Sequence, residues 1–144
     1  YALGRLALWS RQANLDLGPE LLNSGKLSPL ALANARTAPY GVAAEAVIGT
    51  LALPDTVTLV RGENVAQTFH FADSGAAQAA FVAYSQVLGQ GGSLWLPPAR
   101  LYNPIIQQAV RLTDNPDAVR FYHYLFSAPA RESIRRAGYA VDGD

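Results

Sequence analysis

Apolar residues along this chain come in short runs, and their spacing switches repeatedly between a period of two and one near 3.6. Leu3 to Ser10 (LGRLALWS) predicts a strand, as do Pro29 to Ala33 (PLALA), the β-branched Thr56 to Val60 (TVTLV) and Ala79 to Tyr84 (AAFVAY). Ala43, Ala46, Val47 and Leu51 fall at helical spacing behind Pro39, which sits where a first-turn proline belongs because its missing N–H has no helical partner to lose. Val65, Phe69 and Ala72 define a second helical face. Asn64 precedes it with Gln67 three residues on, a pattern resembling a capping box, and Ser74-Gly75 ends it. A shorter helix over Pro19 to Asn23 is closed by Ser24-Gly25.

Further along, Gly89 to Gly92 predicts a loop, Ser93 to Leu96 a short edge strand before Pro97-Pro98, and Ile105 to Leu112 another strand. Two helices close the chain. Pro116 to Ser127 sets Ala118, Phe121, Tyr122 and Leu125 in an apolar stripe, and Pro129 to Ala137 runs to Gly138. No internal repeat or low-complexity tract breaks this order. Alternating strands and helices specify an α/β architecture, in which ligand sites lie where strands run into helix N-termini.

Composition narrows the classes. The 144 residues suit one domain, and with half of them hydrophobic and 15% charged, against roughly 25% in an average soluble protein, the chain is not disordered. Eleven Lys plus Arg balance eleven Asp plus Glu, which leaves no basic footprint for nucleic acid or anionic lipid. No apolar run approaches the ~20 residues that span a bilayer. Cysteine is absent, removing disulfides, thiolate nucleophiles and Cys-ligated zinc. The chain opens at Tyr1 straight into an apolar strand with no signal-peptide pattern, which predicts a fragment of a longer protein.

Two strand-to-helix junctions carry the candidate chemistry. At Thr37-Ala38-Pro39-Tyr40-Gly41 the amides of Tyr40 and Gly41 have no partner within the helix, and at Gly62-Glu63-Asn64-Val65-Ala66 the same holds for Val65 and Ala66. Helix N-termini leave donors unsatisfied and carry partial positive charge, so two converging starts form a charge-free cradle for an oxyanion. Taken alone, these are also ordinary helix starts.

Other residues invite a chemical reading and do not sustain it. His70 and His123 have no carboxylate or second histidine at metal-ligand spacing. Ser10 and Ser85 lack nucleophile-elbow glycines, and Gly89-Gln90-Gly91-Gly92 fits neither phosphate-binding loop. Glu63 reads as a solvated first-turn carboxylate beside the Asn64 cap. Arg131, Arg135 and Arg136, with Glu132 one turn before Arg136, suit the end of a helix. Tyr102, Phe121, Tyr122 and Tyr124 read as core and hinge packing.

The strings Leu32-Ala33-Asn34, Ala38-Pro39-Tyr40-Gly41-Val42-Ala43-Ala44, Gly62-Glu63-Asn64-Val65-Ala66-Gln67-Thr68-Phe69, Phe81-Val82-Ala83 with Ser85-Gln86, and Leu101-Tyr102 with Pro104-Ile105 resemble, in order and spacing, the periplasmic molybdate-binding proteins of ABC transporters. The resemblance covers about Tyr1 to Tyr139. Ala35, Ala76 and Ala80 depart from the family, which often has Pro, Asn and Gly there. It implies an α/β fold of the type II periplasmic-binding-protein kind: one complete lobe over 7–105, plus a hinge and the C-terminal part of the other lobe over 1–6 and 106–144. Tyr40 and Val65 are the implied ligand-binding residues, through their backbone N–H groups. The family's hydroxyl and amide loops near its N-terminus have no counterpart here, so about the first third is expected to be missing.

The implied function is non-enzymatic: capture of molybdate or tungstate in the periplasm and delivery to the membrane permease of an ABC transporter, with no cofactor and no metal beyond the molybdate itself. Molybdate is a dianion that needs only donors, whereas phosphate near neutral pH carries a proton that demands an acceptor. An unmet buried donor costs ~1 to 3 kcal/mol, so a donor-only cradle rejects protonated anions. Sulfate has the same charge in a smaller tetrahedron, and cavity size has to separate the two. The alternative is a cytoplasmic effector-binding module of a transcription factor sharing the two-lobe fold. An incomplete lobe would also leave apolar faces over Pro116 to Ala137 bare, which predicts association.

Overall fold

The computed structural model describes residues 1–141. Five strands form the main sheet: β2 (Leu6–Ser10), β3 (Leu30–Ala33), β4 (Leu59–Gly62), β5 (Ala79–Ala83) and β6 (Ser93–Trp95), in the order β4-β3-β5-β2-β6. β3 runs parallel to both β4 and β5, whereas β2 is antiparallel to β5 and β6. A second, two-stranded sheet pairs β1 (Ala2–Gly4) with β7 (Ile105–Gln107) antiparallel, and Leu3 exchanges two backbone hydrogen bonds with Ala140, at 2.7 and 2.9 Å.

The central strands are buried on both faces, and side-chain alternation sorts them into two cores. Leu6, Leu8, Leu30, Leu32, Ala79 and Phe81 face one side, where they pack with Ala43, Ala44 and Val47 of α2 (Pro39–Leu51). Ala7, Trp9, Ala31, Ala80 and Val82 face the other and meet Ala72 and Phe69 of α3 (Val65–Asp73). The Trp9 and Phe69 rings lie 5.2 Å apart. Small residues on that second face bring α3 close to the sheet. α1 (Pro19–Asn23) and the one-turn α4 (Tyr84–Val87) complete this unit.

Several boundaries differ from expectation. The run Leu3 to Ser10 is two strands, because the chain passes from one sheet to the other at Arg5. The strand expected at Thr56 to Val60 lies at Leu59–Gly62, since parallel pairing with β3 extends through Ala33 opposite Gly62 and so takes in Arg61 and Gly62 beyond the expected end. β5 stops at Ala83 and Tyr84 opens a helix. β7 ends at Gln107, and Gln108 to Leu112 have no strand partner among the described residues. The helices α5 (Pro116–Tyr124) and α6 (Ala128–Arg136) form as expected, capped by the Asn115 and Ser127 side chains. The core reading of Phe121 and Tyr124 is corrected: α5 contributes no buried residue, and Phe121 is 63% exposed.

Candidate functional site

β3 and β4 are neighbours running in one direction, so α2 and α3 both begin at the same end of the sheet. Each start is held close by a glycine. A Cβ on Gly41 would run into the carbonyl of Ala33 at the end of β3, and one on Gly62 would lie 2.9 Å from the Thr68 amide in the first turn of α3. Only glycine lets these helix starts approach the strand ends so closely.

Hydrogen bonds lace the two starts together. The Asn34 amide donates to the Gly62 carbonyl at 2.7 Å, continuing the ladder, and the Thr37 hydroxyl donates to the Glu63 carbonyl at 2.8 Å. Asn34 orders the first loop by accepting from the amides of Thr37 and Ala38 through its carbonyl and from that of Arg36 through Oδ1. On the second, Asn64 Oδ1 accepts from the Gln67 amide at 2.9 Å, as its capping role requires. Gln67 Oε1 reaches back to the Glu63 amide at 2.7 Å, one residue earlier than in the usual box. At the end of β5, the Gln86 side chain accepts from the Ala83 amide at 3.0 Å and donates to the Val65 carbonyl at 3.4 Å.

Besides the loop amides of Ala35 and Asn64, this network leaves over three amides at the helix starts themselves. Among the described residues, no hydrogen bond engages the N–H of Tyr40, Val65 or Ala66. Gly41 is a correction: its amide donates to the Ala38 carbonyl at 2.9 Å, because the first turn tightens around Ala38. The first start thus offers Tyr40 and the second Val65 and Ala66, on half-buried Tyr40 and Val65 and exposed Ala66. A neighbouring cleft of about 430 Å³, between Thr37, Pro39 and Val42 on one side and Pro104 and Ile106 on the other, includes neither Tyr40 nor Val65 in its wall.

The Tyr40 ring points away toward the second sheet. It sits against Gly4, and burial, followed by the neighbouring hydroxyls of Tyr139 and Tyr102, pushes its phenol up to about 12. Tyr102 Oη accepts from the Leu6 amide at 3.2 Å, and the Ser85 hydroxyl donates to Tyr139 Oη at 3.3 Å. Arg5 stacks its guanidinium over the Tyr84 ring, 4.9 Å from the centroid. His70 and His123 are exposed, and among the described residues no group of His, Asp and Glu could hold a metal ion. No helix there is long and apolar enough to cross a membrane.

The sequence pattern located both helix starts and missed what ties them. Thr37 and Gln86 stand inside the quoted strings, yet a hydroxyl or amide reaching another loop has no periodic signature. Tyr139 is brought in from the far end of the chain, and only the fold relates it to Tyr40.

Parallel strands feeding helices on opposite faces, with amide donors left over at both helix starts, define an α/β ligand-binding unit. The model of the bacterial extracellular solute-binding protein family matches residues 1–140, and the chain belongs to that family. It is 40% identical to the molybdate-binding protein ModA of Rhodobacter capsulatus over 99% of this chain and 59% of that protein. Identity is also 40% to the molybdate-binding protein ModA of Azotobacter vinelandii, over 98% and 60%. The solved structure of the Azotobacter vinelandii periplasmic molybdate-binding protein superposes with a TM-score of 0.87 at 34% identity, covering 98% of this chain and 66% of that one. The chain therefore spans about three fifths of the length of the curated relatives it matches.

Proposed function

We propose that this protein binds molybdate, or tungstate as its close analogue, in the periplasm and delivers it to the membrane permease of an ABC importer without catalysing a reaction. The observation that carries the reading is the pair of uncommitted amides, Tyr40 and Val65, at two helix starts held together by the Thr37 to Glu63 hydrogen bond. Both residues project only backbone donors, and the two helix N-termini supply positive potential without a formal charge, so a dianion is stabilised with no counter-ion to displace. The likeness to molybdate-binding proteins across this same stretch supports the ligand class.

On this reading, residues 7–105 make one lobe, and 1–6 with 106–144 make the hinge and part of a second lobe. The separation of the five-stranded sheet from the β1–β7 pair supports a division of this kind, with Leu6 in the first sheet and Ile105 in the second. Donors from the other lobe complete the cradle in the whole protein. Calorimetric titration of the whole protein with molybdate, tungstate, sulfate and phosphate tests the assignment. Tight binding of the first two with phosphate silent is expected, and heat for phosphate or sulfate with none for molybdate would overturn it.

A further inference from the structure

The backbone of Tyr40 belongs to the candidate site, but its side chain belongs to the place where the chain passes between the two sheets. That passage occurs once at Arg5, between β1 and β2, and again over residues 96–104, between β6 and β7. Tyr102 joins the two passages by accepting from the Leu6 amide at 3.2 Å. The Tyr40 ring lies against the first passage so closely that a methyl on Gly4 would collide with its phenol oxygen and sit 3.1 Å from Cζ. From the far end of the chain comes Tyr139, close enough to act on the Tyr40 hydroxyl electrostatically, as Tyr102 also does. Tyr139 is in turn tied to Ser85 just beyond β5, and Gly138 packs against the Ser85 backbone, with a Cβ there only 3.3 Å from Ser85 Cα. One aromatic ring thus touches or faces segments from the start, middle and end of the chain.

We infer that the Tyr40 side chain is a positioning residue, whose ring seated on Gly4 fixes the first turn of α2, and with it the Tyr40 amide, to both sheet crossings. The amide is only as well placed as the turn that carries it, and that turn lacks a side-chain cap at Ala38. The ring supplies the missing anchor. A donor held rigidly in advance binds an anion without the cost of ordering it, so loosening the ring weakens binding although the ring touches no ligand. Consequences for affinity rest on the proposed oxyanion reading; the anchoring itself does not.

The design exploits the fact that substitution at position 40 leaves the N–H in place. In the whole protein, Tyr40→Ala removes the ring, Tyr40→Phe keeps it, and Gly4→Ala displaces it while keeping every existing side chain. Amide hydrogen exchange without ligand should rise about tenfold over residues 40–44 in Tyr40→Ala and Gly4→Ala, with exchange in β3 and β5 unchanged, and stay within about twofold of wild type in Tyr40→Phe. Molybdate affinity should fall about tenfold in the first two and be preserved in the third. Unchanged exchange over residues 40–44 in Gly4→Ala, or a rise spread evenly over the whole sheet, would overturn the inference. Should Tyr40→Ala fail to fold, Gly4→Ala decides alone. A wild-type protein that takes up no molybdate defeats the functional proposal, while the exchange arm still judges the anchor.

Discussion

Thr37 is exposed, yet its hydroxyl is the direct side-chain link between the loops that open α2 and α3. Replacing it with valine keeps the shape and removes the donor, leaving the Glu63 carbonyl to water. Because that carbonyl stays solvated, Thr37→Val should cost only about 0.5 to 1.5 kcal/mol of stability, read by urea denaturation. Anion affinity should fall by more than the stability does, since the spacing of the two helix starts is what the bond sets, and parity between the two losses would argue against that role. Tyr40 makes a prediction in pH. Its phenol is pushed up to about 12 from 10.0, first by burial and then by Tyr139 and Tyr102, so the folded chain keeps a proton that the unfolded chain releases. The stabilisation is fully present below pH 10 and is lost as pH rises from 10 towards 12. Urea midpoints across that window should decline less steeply in Tyr40→Phe than in wild type; identical declines would contradict the burial.

At the scale of the element, β5 and its neighbours face one core with Leu and Phe side chains and the other mostly with alanines, apart from Trp9 and Val82. Phe81 is fully buried between β5 and α2, and Phe81→Ala should cost about 3 to 5 kcal/mol by the cavity it leaves. Gly62→Ala acts differently, forcing a methyl into the first turn of α3 at Thr68, and should cost about 1 to 3 kcal/mol. Chemical denaturation ranks the two, and a Gly62→Ala chain as stable as wild type would show that the close helix start is dispensable. Local chemistry made these elements legible. Pro39, Asn64 with Gln67, and the Ser74-Gly75 stop placed α2 and α3 to within a residue or so, and LALA and AAFVA announced buried strands. Strand ends were not legible, because whether Arg61 and Gly62 extend β4, or Leu3 to Ser10 splits at Arg5, is settled by pairing partners far away in sequence. For the same reason Tyr40 could be read as a donor but not as an anchor. The first property belongs to a helix start, the second to the ring's seat against Gly4, a residue far away in sequence.

For the whole molecule, one end is well packed and the other is bare. Ile106, Val110, Leu112, Phe121 and Phe126 are all more than half exposed, which is far more apolar surface than a small chain leaves to water without consequence. The 144-residue chain should therefore show concentration-dependent mass above 15.4 kDa in light scattering, reduced by Leu112→Ser with Phe121→Ser. A strict monomer at high concentration would contradict this. The central claim is that the amides of Tyr40 and Val65 jointly hold one oxyanion. Backbone amide resonances of the isotopically labelled whole protein, followed during titration with molybdate, test it most directly. Both N–H signals should move downfield together and saturate with the calorimetric stoichiometry, while Gly41, already bonded to Ala38, moves little. Molybdate binding that leaves either the Tyr40 or the Val65 amide unmoved would contradict the account.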